Sequence, residues 1–226
     1  MERNPIAIPR QDTAIRESAL ATNRVLRNTY LLLGATLAFS ALMCGIALVF
    51  SLPHPGLVVT LVGYFGLLFL VHKTANSAMG IASVFALTGF MGYTLGPIIG
   101  YYLQAIPNGD AVVLNALGLT AIVFFGLSAY AIKSGHRFSF MAGFLFVGIL
   151  TAFLLGLVAV IFSMPALSLA VSGAFVLLAS GLILYQTGEI IHGGETNYIL
   201  ATVTLYVSIY NLFVSLMHLL GAGGDD

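Results

Sequence analysis

The sequence predicts an all-α integral membrane protein with seven transmembrane helices and its last helix at the centre. Three observations carry that prediction. Of the 226 residues, 59% are hydrophobic and only 7% are charged, where a soluble domain carries roughly 25% charged residues; the mean hydropathy is +1.03. The apolar residues gather in seven runs, each near the ~20 residues that a helix needs to cross a bilayer. The last run carries a row of polar side chains that would lack partners in hydrocarbon, which places it inside the bundle.

Taken in order, residues 1–28 are a polar tail containing Arg3, Arg10, Arg16, Arg24 and Arg27. The first apolar run begins too late, and is too long, for a cleavable signal peptide. Ile15, Ala19, Thr22 and Leu26 form a weakly amphipathic pattern in the tail. This fits a helix lying on the membrane with its arginines toward lipid phosphates; a disordered tail fits equally. The spans are expected over residues 29–52, 55–71, 79–103, 111–132, 138–162, 165–185 and 197–221, giving one membrane domain over 29–221 and a short tail over 222–226. Pro53-His54-Pro55, Pro107-Asn108-Gly109-Asp110 and Ser163-Met164-Pro165 supply breaks with turn chemistry.

Orientation follows from the basic residues. The tail holds five, and the remaining three are Lys73, Lys133 and Arg137, so all eight Lys and Arg fall on one side of a seven-span chain. Cytoplasmic loops collect Lys and Arg. The amino terminus is therefore expected inside, with Arg24 and Arg27 flanking the first span, and the carboxyl terminus outside. The loop over 186–196 is then cytoplasmic in spite of Glu189 and Glu195, because acidic residues weigh little in this rule.

Two spans have internal patterns. In the third, Gly89, Gly92, Gly96 and Gly100 lie along the helix, and the last three make a small-xxx-small face on which another helix can pack closely. Pro97 is expected to kink that helix and free a carbonyl near Tyr93. In the seventh, Thr204, Ser208, Asn211 and Ser215 fall on one face and Tyr206, Tyr210, Phe213 and Met217 on the opposite one. The polar row is expected to join helix to helix.

Groups that could carry chemistry are sparse. The spans contain no Asp, Glu, Lys or Arg except at their edges, and His72 and His218 lie at span ends. This counts against a proton-coupled carrier and excludes an intramembrane aspartyl protease, which needs two carboxylates at depth. Ser128 follows Gly126 at the nucleophile-elbow spacing, but Tyr130 stands where the second glycine belongs and no mid-span histidine offers a base. Glu189-x-x-His192-x-x-Glu195 has a metal-site spacing, yet bundle di-metal sites need two copies; a single copy beside Gly193-Gly194 reads as solvated loop charges. Cys44, the one cysteine, lies in an apolar run, so neither a disulfide framework nor a cysteine-based metal site is available. There is no phosphate-binding glycine loop, and no basic face for nucleic acid beyond the tail. Neither a catalytic site nor a cofactor is expected.

Three stretches resemble the Bax inhibitor family of seven-helix membrane proteins. They are Thr88-Gly89 through Gly96-Pro97, Ala116 with Thr120-Ala121, and Tyr185-Gln186-Thr187 followed by Leu205 to Phe213. The resemblance covers most of the chain from the first span onward, and it implies a last helix enclosed by the other six. The Gly-Gly-Glu-Thr-Asn-Tyr loop and the long tail look most like the family's bacterial YccA branch, associated with FtsH, a membrane-anchored ATP-dependent zinc protease. The function so implied is that of a non-enzymatic inner-membrane protein that binds and modulates such a protease, inhibition being the expected sense. Calcium or cation leak is the alternative. Leak members carry an aspartate pair where this sequence has Gln186 and Ser208. That pair titrates as a unit; Gln and Ser can hydrogen-bond to each other but cannot switch with pH.

Overall fold

The structure, a computed structural model, describes residues 10–223. Residues 1–9 of the amino-terminal tail, with Arg3, and residues 224–226 of the carboxyl-terminal one lie outside the described residues. Seven α-helices are present among those described: α1 (Arg10–Val49), α2 (Leu57–Thr74), α3 (Met79–Ala105), α4 (Gly109–Ser134), α5 (Ala142–Ile161, entered through a 3₁₀ turn at Ser139–Met141), α6 (Pro165–Ile191) and α7 (Tyr198–Ala222). Each contains a stretch long and apolar enough to cross a membrane.

Two helices run far past the bounds that hydropathy suggests, while α2 and α4 exceed them by a turn or less, α2 ending at Thr74 and α4 covering Gly109–Ser134. α1 is 40 residues long, so residues 13–28 and the first span form one unbroken helix. No glycine or proline occurs from Arg10 to Leu33, and Ala14, Glu17, Ala19, Leu20 and Ala21 are strong helix formers. At 1.5 Å per residue such a helix is ~60 Å long, about twice the hydrocarbon thickness. α6 runs past residue 185 to Ile191, which makes Gln186 and Glu189 helical rather than part of a loop. Hydropathy marks where apolar residues stop; the hydrogen-bond ladder stops only at Gly193, whose positive φ of 74° suits a glycine at a helix end. α7 begins where Asn197 Oδ1 accepts from the amides of Ile199 and Leu200, the usual task of an Asn N-cap.

α7 is the axis of the bundle. From Tyr198 to Gly221 none of its residues is exposed, and α1, α2, α3, α4 and α6 all pack on it. The expected enclosure by six helices is thus an enclosure by five. α5 packs on α6 and does not reach α7. The core around the axis contains Leu205, Tyr206 and Leu212 from α7, Leu33 from α1, Val84 and Leu87 from α3, and Ile183 and Ile190 from α6.

Candidate functional site

The glycines of α3 face α1. A Cβ on Gly92 would collide with the Ser40 carbonyl oxygen, one on Gly96 with the Ala47 side chain, and one on Gly89 with the Phe39 ring. At Gly100 the nearest atom, Leu48 Cδ2, would be 3.4 Å away, an ordinary contact. Backbone therefore meets backbone at Gly92, and the seam loosens toward Gly100. Pro97 lies inside α3, which continues beyond it to Ala105.

The polar work of α7 falls on the face that the sequence pattern treats as apolar. The Tyr206 hydroxyl donates to the Thr88 carbonyl at 3.3 Å and lies 2.6 Å from Ser40 Oγ. With its proton on Thr88, it accepts from Ser40, so one buried phenol ties α7 to α1 and α3. The Tyr210 hydroxyl stands 3.3 Å from Thr94 Oγ1, which itself donates to Met91 O; Tyr210 is then the donor. Thr202 Oγ1 reaches the Thr29 carbonyl at 3.3 Å.

The expected stripe behaves differently. Ser208 donates to Thr204 O at 2.7 Å, within its own helix, because a serine hydroxyl on a helix lies close to the carbonyl four residues back. It does not join a neighbouring helix. The side chains of Thr204, Asn211 and Ser215 form no hydrogen bond with another described residue. Gln186 is buried, its Nε2 has no hydrogen-bond partner, and no hydrogen bond links it to Ser208. The signal that was missed is the tyrosine, which pairs an apolar ring with a polar tip.

At one end of the bundle the loops are stitched together. Glu189 accepts from Ser139 Oγ at 2.6 Å, joining the end of α6 to the entry of α5. The His192 ring nitrogens lie 2.9 Å from Gly188 O and 3.1 Å from Gly135 O. Glu195 Oε1 accepts from the Asn197 amide at 2.7 Å, and Asn197 Nδ2 donates to Ala75 O at 3.1 Å and Asn76 Oδ1 at 2.9 Å. Glu189, His192 and Asn197 thus hold three connections to one another, Glu195 bonding within its own loop; the three residues of the Glu-x-x-His-x-x-Glu pattern do not converge on a point, and no three metal-ligating side chains cluster among the described residues. The same end carries Arg24, Arg27, Lys73, Lys133 and Arg137. Near the other end His218 Nδ1 is 2.8 Å from Ser172 Oγ; Ser128, with its hydroxyl buried and unpartnered, takes no part.

Comparison with known proteins places this architecture. Residues 22–225 match the family described as "Inhibitor of apoptosis-promoting Bax1". The chain is 55% identical over 212 residues to the Escherichia coli K12 protein named "Modulator of FtsH protease YccA", covering 93% of this chain and 95% of that one. The same identity and coverage hold for the "Inner membrane protein YccA" of Escherichia coli O6:H1. A Pseudomonas aeruginosa protein is 53% identical over 214 residues, or 92% of this chain and 96% of its own length. With its seven apolar helices, the chain is a multi-pass protein of the bacterial inner membrane. Over nearly its whole length it belongs to the Bax inhibitor family.

Proposed function

We infer that this protein binds a membrane-anchored, ATP-dependent protease of the FtsH type and modulates it, inhibition being the expected sense, with no active site of its own. The observation that carries this reading is the 55% identity to a protein named as a modulator of that protease, spread over 93% of the chain. The shape supports it. A helix continuous from Arg10 offers a handle beyond the membrane, and its other half is packed into the bundle along the α1–α3 glycine seam, which resists extraction. Lys73 and Lys133, in the last turns of α2 and α4, and Arg137, in the loop after α4, lie at that same end with Arg24 and Arg27, so the positive-inside rule makes this end cytoplasmic and the carboxyl terminus external.

The test is affinity capture of the protease with the full chain and with a form lacking residues 2–19, which keeps Arg24 and Arg27. Insertion should be unchanged in the shortened form, while protease-dependent half-life should change. If half-life and capture are both the same, residues 2–19 are not the handle. If the full chain captures no protease, the reading fails. A reporter fused after Asp226 should give an external signal; a cytoplasmic one overturns the orientation. Because Gln186 and Ser208 do not ionise, calcium flux into dye-loaded liposomes should show no switch between about pH 6 and 8, where coupled carboxylates would titrate. A pH-gated flux would favour the leak reading instead.

A further inference from the structure

α2 and α5 face each other without closing. α2 packs on α3 and α5 on α6, and across the seam stands a single aromatic pair, Phe65 and Phe153, edge to face with ring centres 5.6 Å apart. Behind that pair is a cavity of about 470 Å³, within the ~300–1,000 Å³ of small-molecule sites. Phe65, Phe146 and Leu150 line it and are exposed, so its mouth opens sideways, toward lipid. The rings of Tyr64, Phe90, Phe153, Phe175 and Tyr210 add to its wall, and no charged side chain lines it.

Its polar groups divide into two sets. Thr60 donates to Gly56 O, Ser208 to Thr204 O, and Tyr210 is paired with Thr94. Tyr64 and Asn211 also line the cavity, and neither side chain has a hydrogen-bond partner among the described residues. Asn211 sits at the middle of α7, and the middle of a helix that spans a bilayer lies at mid-depth. An amide and a phenol left unpaired there are costly. A fitting occupant is uncharged, reaches the site from the bilayer, and brings hydrogen-bond acceptors to mid-depth. Phospholipids and ionised fatty acids keep their carbonyl oxygens at the interface. An isoprenoid quinone is neutral, lives in the hydrocarbon, and carries two carbonyls on a planar ring that suits an aromatic wall.

We propose that the cavity between α2 and α5 binds the head of an isoprenoid quinone, its carbonyls accepting from the Asn211 amide and the Tyr64 hydroxyl and its tail leaving past Phe65. Binding alone is involved; no electron transfer is required. The test titrates decylubiquinone into the full-length protein in detergent and follows tyrosine fluorescence, which is unobscured because the chain has no tryptophan. Quenching should saturate. Asn211→Leu and Tyr64→Phe should each raise Kd about three- to tenfold, the effect of one hydrogen bond lost in an apolar site, and equimolar oleic acid should not displace the quinone. Tyr64→Phe keeps the ring, so it reports even if Asn211→Leu disturbs the fold. Quenching that rises without saturating, a Kd unchanged in both variants, or displacement by oleic acid would overturn the proposal; the last would make the cavity a general acyl-chain crevice.

Discussion

Along α1 and α3, glycines bring two helices together until the Ser40 carbonyl lies against Gly92, and Tyr206 ties both to the central helix. Along α2 and α5, two helices with little buried surface meet through one pair of rings and enclose a cavity. Only 6% of the most apolar stretch of α2 and 17% of that of α5 are buried, against 50% for α3 and 56% for α7. α5 is also the most apolar span, and α3 the least. In lipid, apolar surface has no reason to leave its surroundings, so close approach and hydrogen bonds decide which helices form the interior. A helix rich in Leu and Phe is what the bilayer side of a bundle needs.

That contrast can be broken most forcefully at Gly92. Gly92→Ala places a methyl group on the Ser40 backbone and should cost about 1–3 kcal/mol, as overpacking does, read as a lower unfolding midpoint in detergent. Gly100→Ala, with room for its methyl, should move that midpoint little. Equal effects at the two glycines would show that close approach does not set the seam. Next in size is Tyr206→Phe, which removes the bonds to Thr88 and Ser40 but keeps the ring; a loss of about 0.5–2 kcal/mol is expected for hydrogen bonds between membrane helices. Ser208→Ala should cost less, within about 0.5 kcal/mol, because its bond is internal to α7 and such back-bonding adds little to a helix. Leu154→Ala, on the exposed side of α5, should be smallest of all, within about 0.5 kcal/mol. A Leu154 effect as large as that of Gly92 would mean that α5 belongs to the stabilising core.

Much of this was readable from the residues, and the rest was hidden for physical reasons. Seven runs gave seven helices because a bilayer demands both length and apolarity. Gly92 and Gly96 were legible because spacing alone puts them on one face, although nothing in the chain said that α1 would be the partner. The end of α6 was not legible. Gln186 and Glu189 look like a loop to hydropathy, while Thr187, Gly188 and Ile190 are buried in a continuing helix. The tyrosine ties escaped because Tyr206 and Tyr210 count as apolar in a stripe, and a hydroxyl reveals its partner only after the helices pack. The absence of contact between α5 and α7 is a matter of tertiary arrangement, which no single span encodes.

Because α1 is one unbroken helix from Arg10 to Val49, it is built as a rod rather than a tether. A pull on the half of α1 beyond the bundle would load the α1–α3 seam lengthwise, in shear. Every contact along Phe39, Ser40 and Ala47 would then resist at once, instead of peeling one after another. Under such a load the helix would act as a peg, held until it unwinds.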